Sequence, residues 1–167
     1  MDPYLERLKE TVASAVQGMS QEDLARHAEG KWSVAEILEH LYLSYTGTTK
    51  GFQRCLEAGK PLATSSSLKQ RVAVFYVLNC ESLPSGRKAP KNTQPRGLPL
   101  DKIVADVGQQ IVAMDEAITK SEEHYGKRTK LVDHPILGPL TARQWCKFHW
   151  IHGWHHVKQI LKMRGES

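Results

Sequence analysis

The chain has 167 residues, 40% of them hydrophobic and 25% charged, and its mean hydropathy of −0.45 is that of one globular domain able to bury a core. It holds no low-complexity tract and no apolar run long enough to cross a membrane. Its 23 basic residues against 18 acidic ones give a net charge of +5, a mild excess without the aromatic-interleaved basic pattern of a nucleic-acid binder.

Three widely spaced cysteines, Cys55, Cys80 and Cys146, fit free thiols. The opening Met-Asp-Pro-Tyr-Leu-Glu-Arg lacks the basic and apolar regions of a secretory signal. The expectation is a cytoplasmic protein.

In chain order, Asp2 and Pro3 read as an N-cap with proline at the first helical position, and Leu5, Leu8, Val12 and Val16 form the stripe of a first helix ending near Gly18. Ser20 with Asp23 starts a short helical turn carrying Leu24. Ser33 with Glu36 forms a capping box that opens a helix from about Val34 to Ala58, with Ile37, Leu41, Tyr45, Thr48 and Phe52 facing inward.

Residues from about Leu68 to Asn79 are β-branched enough to pass for a strand, but no partner strand is evident, so a helix is predicted. Leu83 to Pro99 holds four prolines and reads as an irregular loop, long for a compact domain, of the kind used as a lid or binding loop. Ile103, Val107, Ile111, Met114 and Ile118 predict a helix from Leu100 to about Glu123. Asp133 to Leu140, with two prolines and a glycine, reads as a rigid connector. Thr141 with Gln144 then caps a last helix running to Arg164. The fold class expected is all-α, a helical bundle with one shorter extra helix and a long Pro-rich loop.

The last helix carries the chemistry. Four of the eight histidines fall between His149 and His156. At about 100° per residue, His149, His152 and His156 share one stripe with Trp145 and Ile160, so imidazoles stand where a core would use leucine. His152 and His156 are four apart and project from one face, which lets two ring nitrogens reach one metal ion. His40, beside the buried stripe of the second helix, is the third ligand expected, and Glu36 one turn before it is a candidate partner for its other ring nitrogen or a general base. The bland alternative is three histidines satisfied separately. A second apolar stripe, Trp150, Trp154, Val157 and Leu161, must be covered by another helix or by a second copy of the chain.

Two stretches resemble a known family. Lys31-Trp32-Ser33-Val34-Ala35-Glu36-Ile37-Leu38-Glu39-His40-Leu41 resembles the W-S-x-x-E-x-x-x-H-L opening of the second helix in the DinB-like (YfiT-like) superfamily. His134-Pro135-x-x-Gly138-Pro139-Leu140-Thr141, followed by His152-x-x-His155-His156-x-x-Gln159-Ile160, resembles its C-terminal signature. The resemblance implies a four-helix bundle connected up-down-down-up. It implies a divalent metal ion, nickel or zinc, held by His40, His152 and His156. It also implies a homodimer, for which the stripe Trp150, Trp154, Val157 and Leu161 is the expected surface. The superfamily includes S-transferases that use bacillithiol, mycothiol or glutathione, and a maleylpyruvate isomerase. Here the long loop Leu83–Pro99 departs from the typical pattern.

The function expected is a metal-dependent S-transferase or hydrolase acting on a small molecule. In it the metal lowers the pKa of a bound thiol or water, and Arg87, Lys88 and Arg96 contact the carboxylates of a low-molecular-weight thiol. The competing expectation is a metal-bound dimer that binds a ligand or acts in a stress response without catalysis. A third is a plain helical interaction module.

Overall fold

The computed structural model describes residues 1–27, 30–83 and 88–165 and is mostly helical. Among the described residues it has six α-helices: α1 (Pro3–Val16), α2 (Gln21–Ala25), α3 (Val34–Glu57), α4 (Leu68–Asn79), α5 (Leu100–Tyr125) and α6 (Ala142–Met163). A 3-10 turn covers Lys91–Thr93, and a two-stranded sheet pairs β1 (Lys130–His134) with β2 (Gly138–Thr141).

The helix starts follow local chemistry. Asp2 accepts the Tyr4 N–H at 2.8 Å, with Pro3 where its missing N–H would have no helical partner. Reciprocal capping boxes close the starts of α2 (Ser20, Asp23), α3 (Ser33, Glu36), α4 (Ser67, Gln70) and α6 (Thr141, Gln144). In α4 only Val77 and Leu78 are buried, while Leu68, Val72, Phe75 and Tyr76 face outward. That surface position explains why the segment shows no clear helical stripe.

The expected connector Asp133–Leu140 instead spans the end of the first strand, the turn and most of the second strand of an antiparallel hairpin, with His134 opposite Gly138 and Lys130 opposite Thr141. The partner strand that the sequence did not reveal is Lys130–His134. Two strands this short, one with a proline in it, leave too little alternation to read. The His134 ring closes the turn, its Nδ1 accepting the N–H groups of Ile136 (3.1 Å) and Leu137 (3.0 Å). Gly138 has φ of 72°, and Gln70 lies against it where a side chain would stand.

One buried apolar cluster takes side chains from all six helices and the hairpin. α3 lies along α5, and α1 lies along α6. Gly153 permits the second pairing, because a Cβ there would stand 2.1 Å from Leu8 Cδ1, and Leu8 is fully buried. The Asp2 N–H bonds the buried Asp115 carboxylate of α5 at 2.9 Å, and Arg164 after α6 reaches the Ala15 carbonyl of α1 at 2.8 Å. Trp145 Nε1 donates to the Val132 carbonyl, fastening α6 to the hairpin. No helix among the described residues is long and apolar enough to cross a membrane.

Candidate metal centre

The capping boxes set the phase of the two helices that supply the site. Ser33 starts α3 seven residues before His40, and Thr141 starts α6 eleven before His152. The result brings His40, His152 and His156 together, with their ligand nitrogens all within 4.8 Å of one another. His40 Nε2 is 3.0 Å from His152 Nε2. A tetrahedral ion with Zn–N bonds of about 2.0–2.1 Å holds its nitrogens roughly 3.3 Å apart, close to the His40–His152 spacing.

Hydrogen bonds on the far side of two rings decide which nitrogens face inward. His40 Nδ1 is 2.7 Å from the Thr93 carbonyl, which can only accept, so Nδ1 carries the proton and Nε2 of the neutral ring is a lone pair. His156 Nδ1 donates to Gln159 Oε1 at 2.9 Å, leaving its Nε2 free to ligate. Gln159 is oriented in turn by its amide Nε2, which donates to His155 Nε2 at 3.2 Å. His152 differs, because its Nδ1 is buried without a hydrogen-bond partner among the described residues. Lone pairs converging at these distances repel unless a proton or a cation lies between them, and this donor set of three neutral imidazoles suits a divalent transition metal.

Burial keeps the rings in that neutral form. It pushes His156 down to about 3 and His152 well below the ordinary histidine range, with the neighbouring histidines adding to the shift. His40 is also lowered by burial, against a smaller upward pull from the Thr93 carbonyl. Aromatic rings frame the cluster. Trp32 stacks on His156 at 6.4 Å between centroids and tilts against His40 at 5.1 Å, while Phe148 stacks on His152 at 5.5 Å.

The other expected residues lie elsewhere. The Glu36 carboxylate, expected beside His40, accepts the Ser33 N–H at 2.8 Å and stands 3.5 Å from His27 Nδ1. A carboxylate in the first turn is drawn to the unpaired N–H groups of its own helix start, and Thr93 takes the place at His40. Arg87 lies outside the described residues. Lys88 and Arg96 are exposed, and Arg96 is tied to α3 through its backbone N–H, which donates to Glu39 Oε1 at 2.9 Å.

His149 shares the stripe but not the cluster, since its Nε2 bonds Thr48 Oγ1 at 2.9 Å and its ring stacks on Trp145. Cys146 is buried and its thiol is pushed far up by that burial, which leaves it inert as a nucleophile. Of the second stripe, Val157 and Trp150 are buried, and Arg7 of α1 stands over the Trp150 ring at 4.2 Å; Trp154 and Leu161 stay partly open. The covering element for half of that stripe is therefore α1.

Sequence reasoning missed Thr93 and gave Glu39 and Gln159 a place in the two family-like stretches but no role. Gln159 had a signal, standing three residues after His156 on the same face. Thr93 had none.

Comparison with known proteins places the chain in a family. Residues 4–163 match the model of the family described as "Protein of unknown function (DUF1569)", so the chain belongs to that family. It is 24% identical over 163 residues to "Uncharacterized protein YuaE" of Bacillus subtilis (strain 168), a match covering 89% of this chain and 88% of that protein. No solved structure matches.

Proposed function

We propose that this member of the DUF1569 family binds one divalent transition-metal ion through His40, His152 and His156, within a four-helix bundle of DinB-like (YfiT-like) type, and acts as a metal-dependent enzyme on a small molecule. The observation that carries the reading is the convergence of three imidazole nitrogens with the far nitrogens of His40 and His156 held by Thr93 and Gln159. Nickel and zinc suit a set of neutral nitrogens, whereas magnesium and calcium prefer oxygen. An ion held by three protein ligands keeps a position open, where it would lower the pKa of a bound thiol or water to give a nucleophile near neutral pH.

Of the two enzymatic variants, S-transfer is favoured over hydrolysis. Hydrolysis calls for a general base at the site, and the ligand group contains no carboxylate, while Glu36 is held in its capping box. A low-molecular-weight thiol brings its own ionisable group. Lys88 and Arg96, exposed on the loop beside α3, and Arg87 are the cations available to its carboxylates.

A second reading, a metal-bound protein that binds a ligand without catalysis, draws support from burial, because His40 and His156 are 4% and 8% exposed beneath Trp32. A second copy of the chain against Trp154 and Leu161 belongs to either reading.

Elemental analysis of the purified protein tests the site. Wild type should hold about one nickel or zinc ion per chain, and His152→Ala should lose most of it, since two imidazoles make a weak site. Wild type that stays metal-free after reconstitution with both ions ends the proposal. With metal present, cobalt substitution and water-proton relaxation separate the two readings: an exchangeable water supports catalysis, and a saturated ion supports the non-catalytic role.

A further inference from the structure

The loop between α4 and α5 is fastened to α3 at two points that are adjacent in sequence. One is His40, whose Nδ1–H bonds the Thr93 carbonyl at 2.7 Å. The other is Glu39, whose two carboxylate oxygens accept the successive backbone N–H groups of Arg96 (2.9 Å) and Gly97 (3.1 Å). Glu39 is 2% exposed. A buried carboxylate is tolerated only where its charge is compensated, and here the partners are two backbone donors presented as a nest by the turn at Gly97, whose φ is 81°. Within the strap, Thr93 closes its own 3-10 turn, giving its N–H to the Pro90 carbonyl at 2.9 Å and its hydroxyl to the same oxygen at 3.1 Å.

The geometry points to Glu39 as the clasp of a strap, residues 91–97, that positions His40 for metal binding. The chain of cause is short. Glu39 holds Arg96 and Gly97, which fixes the segment that leads back to Thr93, and the Thr93 carbonyl then holds the proton of His40 on Nδ1. A neutral imidazole has one proton, so fixing it on Nδ1 keeps the lone pair on Nε2, where His152 and His156 converge.

Without the clasp, Thr93 is free to leave. The His40 proton can then move to Nε2, where it blocks the metal, and the ring can rotate. Glu39 and His40 follow one another on α3, about 100° apart around the helix, so one turn of helix presents the ligand and the anchor of its support together. Glu39 is a positioning residue and touches neither substrate nor metal. The inference deepens the metal reading above and rests on it for its consequence, but the tautomer of His40 can be read without any ion.

Two variants release the clasp from opposite ends. Glu39→Gln removes the charge and sets an amide N–H₂ against one of the two donors. Gly97→Ala adds a methyl group that meets nothing within 4 Å, so its only effect is through the positive φ of that turn. The experiment is histidine ¹⁵N spectroscopy of metal-free protein, followed by titration with zinc chloride alone, for wild type and both variants. Expected are an Nδ1–H tautomer for His40 in wild type, a mixed or Nε2–H tautomer in the variants, and zinc affinity 10- to 100-fold weaker in both. Variants that keep the wild-type tautomer and bind zinc within threefold of wild type overturn the inference. If wild type binds no zinc while the variants still shift the tautomer, the metal reading fails and the strap stands. If Glu39→Gln does not fold, Gly97→Ala decides the matter alone.

Discussion

Two groups of buried or half-buried histidines lie on and beside α6, and they put the same residue type to opposite uses. His40, His152 and His156 turn their Nε2 atoms toward a common point, whereas His134 and His149 spend ring nitrogens on their surroundings. His134 Nδ1 closes the hairpin turn, and His149 Nε2 bonds Thr48. Burial lowers all five, to about 4 for His134 and about 3 for both His149 and His156, so neither burial nor neutrality tells the groups apart. For His40 and His156 the difference is the acceptor behind the ring; His152, with no such acceptor among the described residues, differs from His134 and His149 in that its Nε2 faces His40. An acceptor that takes Nδ1–H sends the lone pair inward and makes a ligand, while a donor facing the lone pair uses it up and makes a brace.

The comparison is tested most strongly by adding zinc to single variants. A ligand at 100 times its Kd stabilises the folded state by about 2.7 kcal/mol, so wild type should melt several degrees higher with zinc. His152→Ala should lose that increment, and His149→Gln, though less stable itself, should keep it in full. Loss of the increment in both would erase the distinction between ligand and brace.

Next in size is the pH response of the braces. A histidine lowered in the folded state takes up its proton more readily when unfolded. Its contribution is therefore intact above the unfolded value of 6.5 and is lost as pH falls from there toward the folded value of about 3 for His149. Each such histidine steepens the decline by about 1.4 kcal/mol per pH unit across that window. The groups facing His149 are Thr48, Tyr45, Trp145 and Phe148, none charged at these pH values, with His134 the ionisable neighbour that adds to the lowering. Urea unfolding of metal-free protein between pH 6.5 and 4.5 should show a shallower slope for His149→Gln than for wild type. Equal slopes would mean that His149 is protonated in the folded protein.

The smallest effects lie one step behind His156. Gln159→Ala removes the acceptor on its Nδ1 and should weaken zinc binding about tenfold. His155→Ala removes the group that orients the Gln159 amide and an edge contact with the His156 ring, and isothermal titration should find it within about threefold of wild type. A larger effect from His155 than from Gln159 would place the support of His156 elsewhere.

Much of this was legible in one dimension. The boundaries of α1, α3, α5 and α6 follow from caps and apolar stripes, because a helix satisfies its backbone within four residues and its buried face repeats every three or four. The pairing of His152 with His156 is of the same kind, and so is the cap at Ser33 that fixes the phase of His40. The hairpin was hidden because its pairing is a relation between two short strands, each with too few residues to show a period of two. The coverage of Trp150 and Val157 by α1 was left open, since an apolar stripe states that a partner exists and not which one.

The acceptor of His40 was out of reach for the same reason. Glu36 stands one turn from His40 in sequence and looked like its partner, yet Thr93, 53 residues away, holds the ring, and Glu39 on the adjoining face holds the strap that brings Thr93 there. By itself the sequence determined which segments are helical and which imidazoles share a face, because both depend on contacts within a turn. Only the tertiary structure decided which nitrogens point at one another, because the atom that sets the tautomer of His40 sits on another element and its position depends on the packing of the whole chain.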